Sequence, residues 1–76
     1  MLKKDKDGVY VEVHNEKFYV ENIDETIDDV LGLINNLRQT EKFAEKYDDE
    51  ELLEKVRKKI LYYIIILKEI YEVYND

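Results

Sequence analysis

Residues 9–13, Val-Tyr-Val-Glu-Val, alternate between two faces, and Phe18, Tyr19, Val20 and Glu21 do the same after the polar stretch His14 to Lys17. A side-chain period of two belongs to half-buried strands, so the two segments predict a β-hairpin over residues 9–21. With Asn15 and Glu16 as a two-residue turn, Val13 pairs with Phe18 and Val11 with Val20, and these four join Val9 on one apolar face. Tyr10, Glu12, Tyr19 and Glu21 then occupy the other face. Glu16 is the weak point of this register, because such turns favour Asn-Gly at their centre.

Beyond residue 21 the period changes. Asn22 followed three residues later by Glu25 matches a capping box, and Ile23, Ile27, Val30, Leu31, Ile34 and Leu37 recur at helical spacing. A first helix is predicted from near Asp24 to about Tyr47, roughly 35 Å long at 1.5 Å per residue. Asp48 or Asp49 caps a second helix, whose apolar stripe is Leu53, Val56, Ile60, Tyr63, Ile64, Leu67, Ile70, Tyr71 and Tyr74. So short a connection makes the helices antiparallel neighbours, with opposed residue numbers summing to about 96. Gly32 then faces Ile64, and close helix packing is the expected reason for a residue that costs a helix about 1 kcal/mol relative to alanine.

The fold class expected is therefore α+β, mostly α: an N-terminal β-hairpin followed by a long antiparallel two-helix hairpin, ββαα, within a single domain over residues 1–76. Residues 1–8 read as a flexible charged N-terminus and residues 22–76 as the helical hairpin. Ile60 to Leu67 is apolar in every direction around a helix, more than one neighbour can bury, so either the chain's own hairpin or a second subunit is expected to cover what the first helix leaves open. A chain of 76 residues also buries only about 60% of its unfolded surface and has no cysteine for disulfide staples. Both points favour a core completed by homo-oligomerisation, with a two-fold four-helix bundle as the simplest closed form and Leu61, Tyr62, Ile65 and Ile66 as the intersubunit contacts.

Charge narrows the function. The net charge is −7, against indiscriminate binding to nucleic acid or anionic lipid and in favour of a basic partner. Most of the excess acid is in two clusters, Asp24, Glu25, Asp28 and Asp29, then Asp48, Asp49, Glu50 and Glu51. Both fall in first turns of helices, where carboxylates offset the macrodipole. No apolar run approaches the ~20 residues of a membrane span, no secretory signal opens the sequence, and the lack of cysteine suits a cytoplasmic protein.

Catalytic residue types are scarce. Serine and cysteine are absent, the single histidine, His14, lies at the hairpin turn, and neither helix carries the Glu-x-x-His spacing of di-iron bundles. The chain is expected not to be an enzyme and to need neither cofactor nor metal. Arg57, Lys58 and Lys59 form a basic run that the sum rule brings beside Arg38, a candidate site for an anion such as a signalling nucleotide. The plainer reading is a solvated face on which Glu41 and Glu54 are the ion partners. Tyr10 and Tyr19 on the outer sheet face, with Asp48 and Asp49, are the candidates for contact with a protein partner.

The leading functional expectation is a small acidic homo-oligomeric interaction protein that inhibits or modulates a macromolecular partner. Antitoxins and phage-encoded inhibitors of host defence are small and acidic in the same way, a likeness of size and charge alone. The alternatives are an oligomer that sequesters an anionic small molecule and a structural subunit of a larger assembly.

Overall fold

A computed structural model of the chain describes residues 2–74, with the side chains of residues 2–72. Three strands, β1 (Leu2–Asp5), β2 (Gly8–Val13) and β3 (Glu16–Tyr19), are followed by two helices, α1 (Ile23–Lys46) and α2 (Glu50–Tyr74). The sheet is antiparallel in the order β1-β2-β3, and the molecule measures 44 × 23 × 20 Å.

The expected hairpin is present, shifted in register by two residues. Val11 pairs with Phe18 and Val13 with Glu16, so the turn is His14-Asn15 and not Asn15-Glu16. Both turn residues have positive φ, 51° and 66°, the geometry whose twist matches a two-residue hairpin. Asparagine tolerates that conformation and glutamate does not, which moves Glu16 into the strand. A shift of two leaves every side chain on its expected face, so Val11, Val13 and Val20 are buried and Phe18 is half-buried.

Leu2–Asp5 form a third strand where a flexible terminus was expected. Leu2 pairs with Val11 and Asp5 with Gly8. Asp5 Oδ1 accepts from the Asp7 backbone N–H at 2.8 Å, an Asx turn that reverses the chain, and Gly8 follows at φ 134°, which side chains disfavour.

Both helices begin near the expected residues, and α1 ends near Tyr47 as expected. Asn22 caps α1 by accepting from the Glu25 N–H at 3.1 Å, and Asp49 caps α2 by accepting from the Leu52 N–H at 3.1 Å. Between them, Asp48 turns the chain at φ 53°, and the Asp49 N–H returns to the Ala44 carbonyl at 2.9 Å, satisfying an end of α1 that would otherwise be unpaired.

Two buried clusters hold the elements together. Val30 and Ile34 of α1 pack with Val56, Ile60 and Leu67 of α2. Ile66 and Ile70 of α2 pack with Val11 and Val13 of the sheet and with Val20 just beyond β3, while Leu2, Ile23 and Ile27 border this second cluster. The sheet thus covers the side of α2 that α1 leaves open. Gly32 is exposed: apart from its own helix and chain neighbours, no described atom lies within 4 Å of where a Cβ would stand, so close packing does not account for it. Ile64 and Tyr71, expected on the core stripe, are exposed, and the side chain of Tyr74 lies outside the described residues.

Candidate functional site

Three surfaces collect the residues that sequence reasoning singled out. The first is α2. Ile66, expected between subunits, is fully buried against the chain's own sheet. Tyr62 and Ile65 are half-buried against the same cluster. Burial, with a smaller contribution from Glu16, pushes the Tyr62 hydroxyl pKa upward, and the Tyr62 ring sits edge-on to Tyr63 at 5.3 Å. Three of the four expected intersubunit residues therefore serve the internal core wholly or in part, because the hairpin, one of the two covers expected for them, is joined by β1 and supplies that cover from within the chain. Leu61 is different: it is 57% exposed.

Leu61 separates two open grooves. One, of about 480 Å³, is lined by Glu50, Leu53, Glu54, Arg57, Lys58 and Leu61 on α2. The other, of about 460 Å³, runs between the helices and is lined by Arg38, Glu41, Lys42, Arg57, Ile60, Leu61 and Ile64. The structure thus brings Arg38 and Arg57 to one groove, as the sum rule expects. Their charge is partly spent. Arg57 donates through Nε to Glu41 at 3.1 Å and through Nη2 to Glu45 at 3.2 Å, and Lys58 pairs with Glu54 at 3.1 Å. Lys59 is exposed and lines neither groove.

The outer sheet face is the second surface. Tyr10, expected to contact a partner, is only 9% exposed. The Tyr19 ring lies 5.6 Å away and the Lys17 ammonium 4.8 Å above it, a cation–π contact. Tyr19 remains partly accessible, and its hydroxyl donates to Asp5 Oδ2 at 2.8 Å. The same carboxylate oxygen accepts from Lys17 Nζ at 2.9 Å. The Lys17 bond, then the Tyr19 bond, hold the Asp5 carboxyl down at about 2, and Asp5 in turn raises the Lys17 and Tyr19 pKa values. The cluster ties β1 to β3 over β2. Sequence reasoning missed it because residues 1–8 were not read as a strand.

The third surface is the tip of the helical hairpin. Phe43 and Tyr47 are 58% and 62% exposed, and their rings stand 4.7 Å apart. Lys46 lies 5.7 Å from the Tyr47 ring, and Asp48, Asp49, Glu50 and Glu51 continue the chain from there, all exposed. Asp49 is committed to the helix cap, whereas Asp48 makes the turn. The aromatic pair is legible in retrospect: Phe43 and Tyr47 are four apart and out of phase with the Ile27, Val30, Ile34, Leu37 stripe, which Ala44 continues into the core.

Among the described residues no group of three His, Cys, Asp or Glu side chains is arranged to hold a metal ion, and no helix is long and apolar enough to cross a membrane. The chain matches no protein-family model, no curated protein and no solved structure.

Proposed function

We propose that the protein is a small acidic homo-oligomeric interaction module that inhibits or modulates a macromolecular partner through the tip of its helical hairpin. The observation that carries this reading is the exposed Phe43–Tyr47 pair beside Asp48, Glu50 and Glu51. Aromatic side chains are enriched among the buried anchors of protein interfaces, and the rim around such anchors is polar. Their mutual contact, four residues apart on an exposed helix end, is worth only about 0.2 to 0.5 kcal/mol to the isolated chain. The adjoining negative charge selects a basic partner surface, whose arginines can stack on the rings and pair with the rim.

The sequestration reading has less support. An anion entering the groove at Arg38 and Arg57 has to compete with Glu41 and Glu45 for the Arg57 guanidinium. Comparative capture from the native cell separates the two. Tagged wild-type chain is run beside a Phe43→Ala/Tyr47→Ala variant and an Arg57→Glu/Lys58→Glu variant, and recovered proteins and small molecules are quantified. Truncating interface anchors costs about 2 kcal/mol or more, so the aromatic variant should lose its partner at least about tenfold while the charge-reversed variant keeps it. The opposite pattern removes the tip from the mechanism.

A further inference from the structure

Glu54, Leu61 and Lys68 are spaced seven residues apart, two turns each, and form one stripe along α2. All three are exposed, and the stripe lies beside the groove lined by Glu50, Leu53 and Arg57. It has opposite charges at equal distances, about 10.5 Å, on either side of an exposed leucine. That arrangement is self-complementary under one operation, a two-fold axis perpendicular to the helix at Leu61.

We propose that a second copy of this chain docks on the stripe with the two α2 helices antiparallel and Leu61 on the axis. The proposal rests on the reading of the protein as a homo-oligomer and gives it a register. Each Glu54 then faces the partner's Lys68, and symmetry makes the contact twice. The axis places Leu61 against the partner's Leu61, and Ile64 and Ile65 opposite the partner's Lys58 and the partner's Arg57, which line the groove beside Leu61. Lys68 is at hand for this role, as it takes part in no ion pair among the described residues. Glu54 does have one, with Lys58 at 3.1 Å, but both side chains are about 70% exposed or more, and an exposed pair of that kind is exchanged at little cost. The parallel alternative sets Glu54 against Glu54 and Lys68 against Lys68, so charge selects the antiparallel arrangement. Glu50 and Glu72 also fall opposite one another, farther from the axis, where a crossing of about 20° spreads the helices and leaves both carboxylates in water.

The test is sedimentation over a dilution series of the full chain, wild type beside Glu54→Lys, Lys68→Glu and the double exchange, with circular dichroism to establish that each is folded. Wild type should dimerise. Each single reversal should weaken dimerisation about tenfold or more by creating two like-charge contacts, and the double exchange should restore it to within about threefold. Because the sequence has no cysteine, Leu61→Cys gives a second readout. On the axis it should form a disulfide-linked dimer under mild oxidation far faster than Lys55→Cys, since only closely opposed Cα atoms permit the bond. A wild-type chain that stays monomeric overturns the oligomeric reading itself. A wild-type dimer whose single reversals are silent, or are not rescued by the exchange, or whose Leu61→Cys variant links no faster than Lys55→Cys, overturns this register and leaves oligomerisation standing.

Discussion

The Asp5 carboxylate on β1 accepts from the Lys17 ammonium on β3 at 2.9 Å, over the strand that separates them. With the Tyr19 hydroxyl bonded to the same oxygen, the contact gives the first strand a dependence on pH. The folded state holds the Asp5 carboxyl at about 2, below its ordinary 3.8. A depressed carboxyl contributes stability that is complete above the unfolded value and is lost as pH falls through the folded one, here between about pH 4 and pH 2. Lys17 and Tyr19 are raised, so their share is complete below their ordinary values near 10 and is lost above them. Thermal unfolding of wild type and Asp5→Asn should therefore diverge between these limits and converge at low pH. Parallel curves from pH 7 to pH 2 count against the cluster.

The two glycines should respond to alanine with opposite signs. At Gly32 the helix is open to solvent and a Cβ meets nothing, so Gly32→Ala should stabilise the chain by about 1 kcal/mol through helix propensity. Gly8 has room as well, its nearest atom being a Tyr19 ring carbon at 4.0 Å, but its φ of 134° is strained for any side chain. Gly8→Ala should cost about 1 kcal/mol or more. Urea unfolding midpoints decide both, and a loss at Gly32 indicates that another surface packs there.

Ile66 and Leu61 divide core from surface on the same helix. Ile66→Ala removes a fully buried side chain from the sheet–helix cluster and should destabilise the fold by about 2 to 5 kcal/mol. Leu61→Ala should leave the isolated fold within about 0.5 kcal/mol of wild type, any larger effect appearing only as a dependence of the melting temperature on concentration. A concentration-independent loss at Leu61 comparable to that at Ile66 contradicts the assignment.

What the sequence made legible follows the strength of each local signal. Asn22 and Asp49 are caps whose chemistry is local, and the Val30, Ile34 and Ile60, Leu67 stripes repeat often enough to specify a helical hairpin. The first strand lacks such repetition: Leu2 is its only large apolar residue, and its partner Val11 was already assigned to the other strand. Asp7-Gly8, a turn signal, was overshadowed by five charges in the first seven residues. Missing that strand also displaced the functional reading of α2, since a larger sheet covers Tyr62, Ile65 and Ile66 from within. The tip pair was missed for the converse reason, because Phe43 and Tyr47 are apolar residues off the core phase, and such residues carry no pattern of their own.

The hairpin turn supplies a test of register that needs no second structure. In the observed pairing His14 and Asn15 both take left-handed backbone, which Asn-Gly adopts with least strain. His14→Asn combined with Asn15→Gly should therefore stabilise the chain by about 0.5 to 2 kcal/mol, while Asn15→Val should cost about 1 kcal/mol or more. Glu16→Gly discriminates. In the register first expected, Glu16 stands in the turn and glycine improves it; in the observed one, Glu16 opens β3 opposite Val13, and glycine weakens the strand by about 0.5 to 1 kcal/mol. The two registers thus give opposite signs for one substitution, readable as a shift in the urea midpoint. A gain at Glu16→Gly moves Val11 from Phe18 to Val20 and sinks the observed pairing, although it leaves the buried face of the hairpin unchanged.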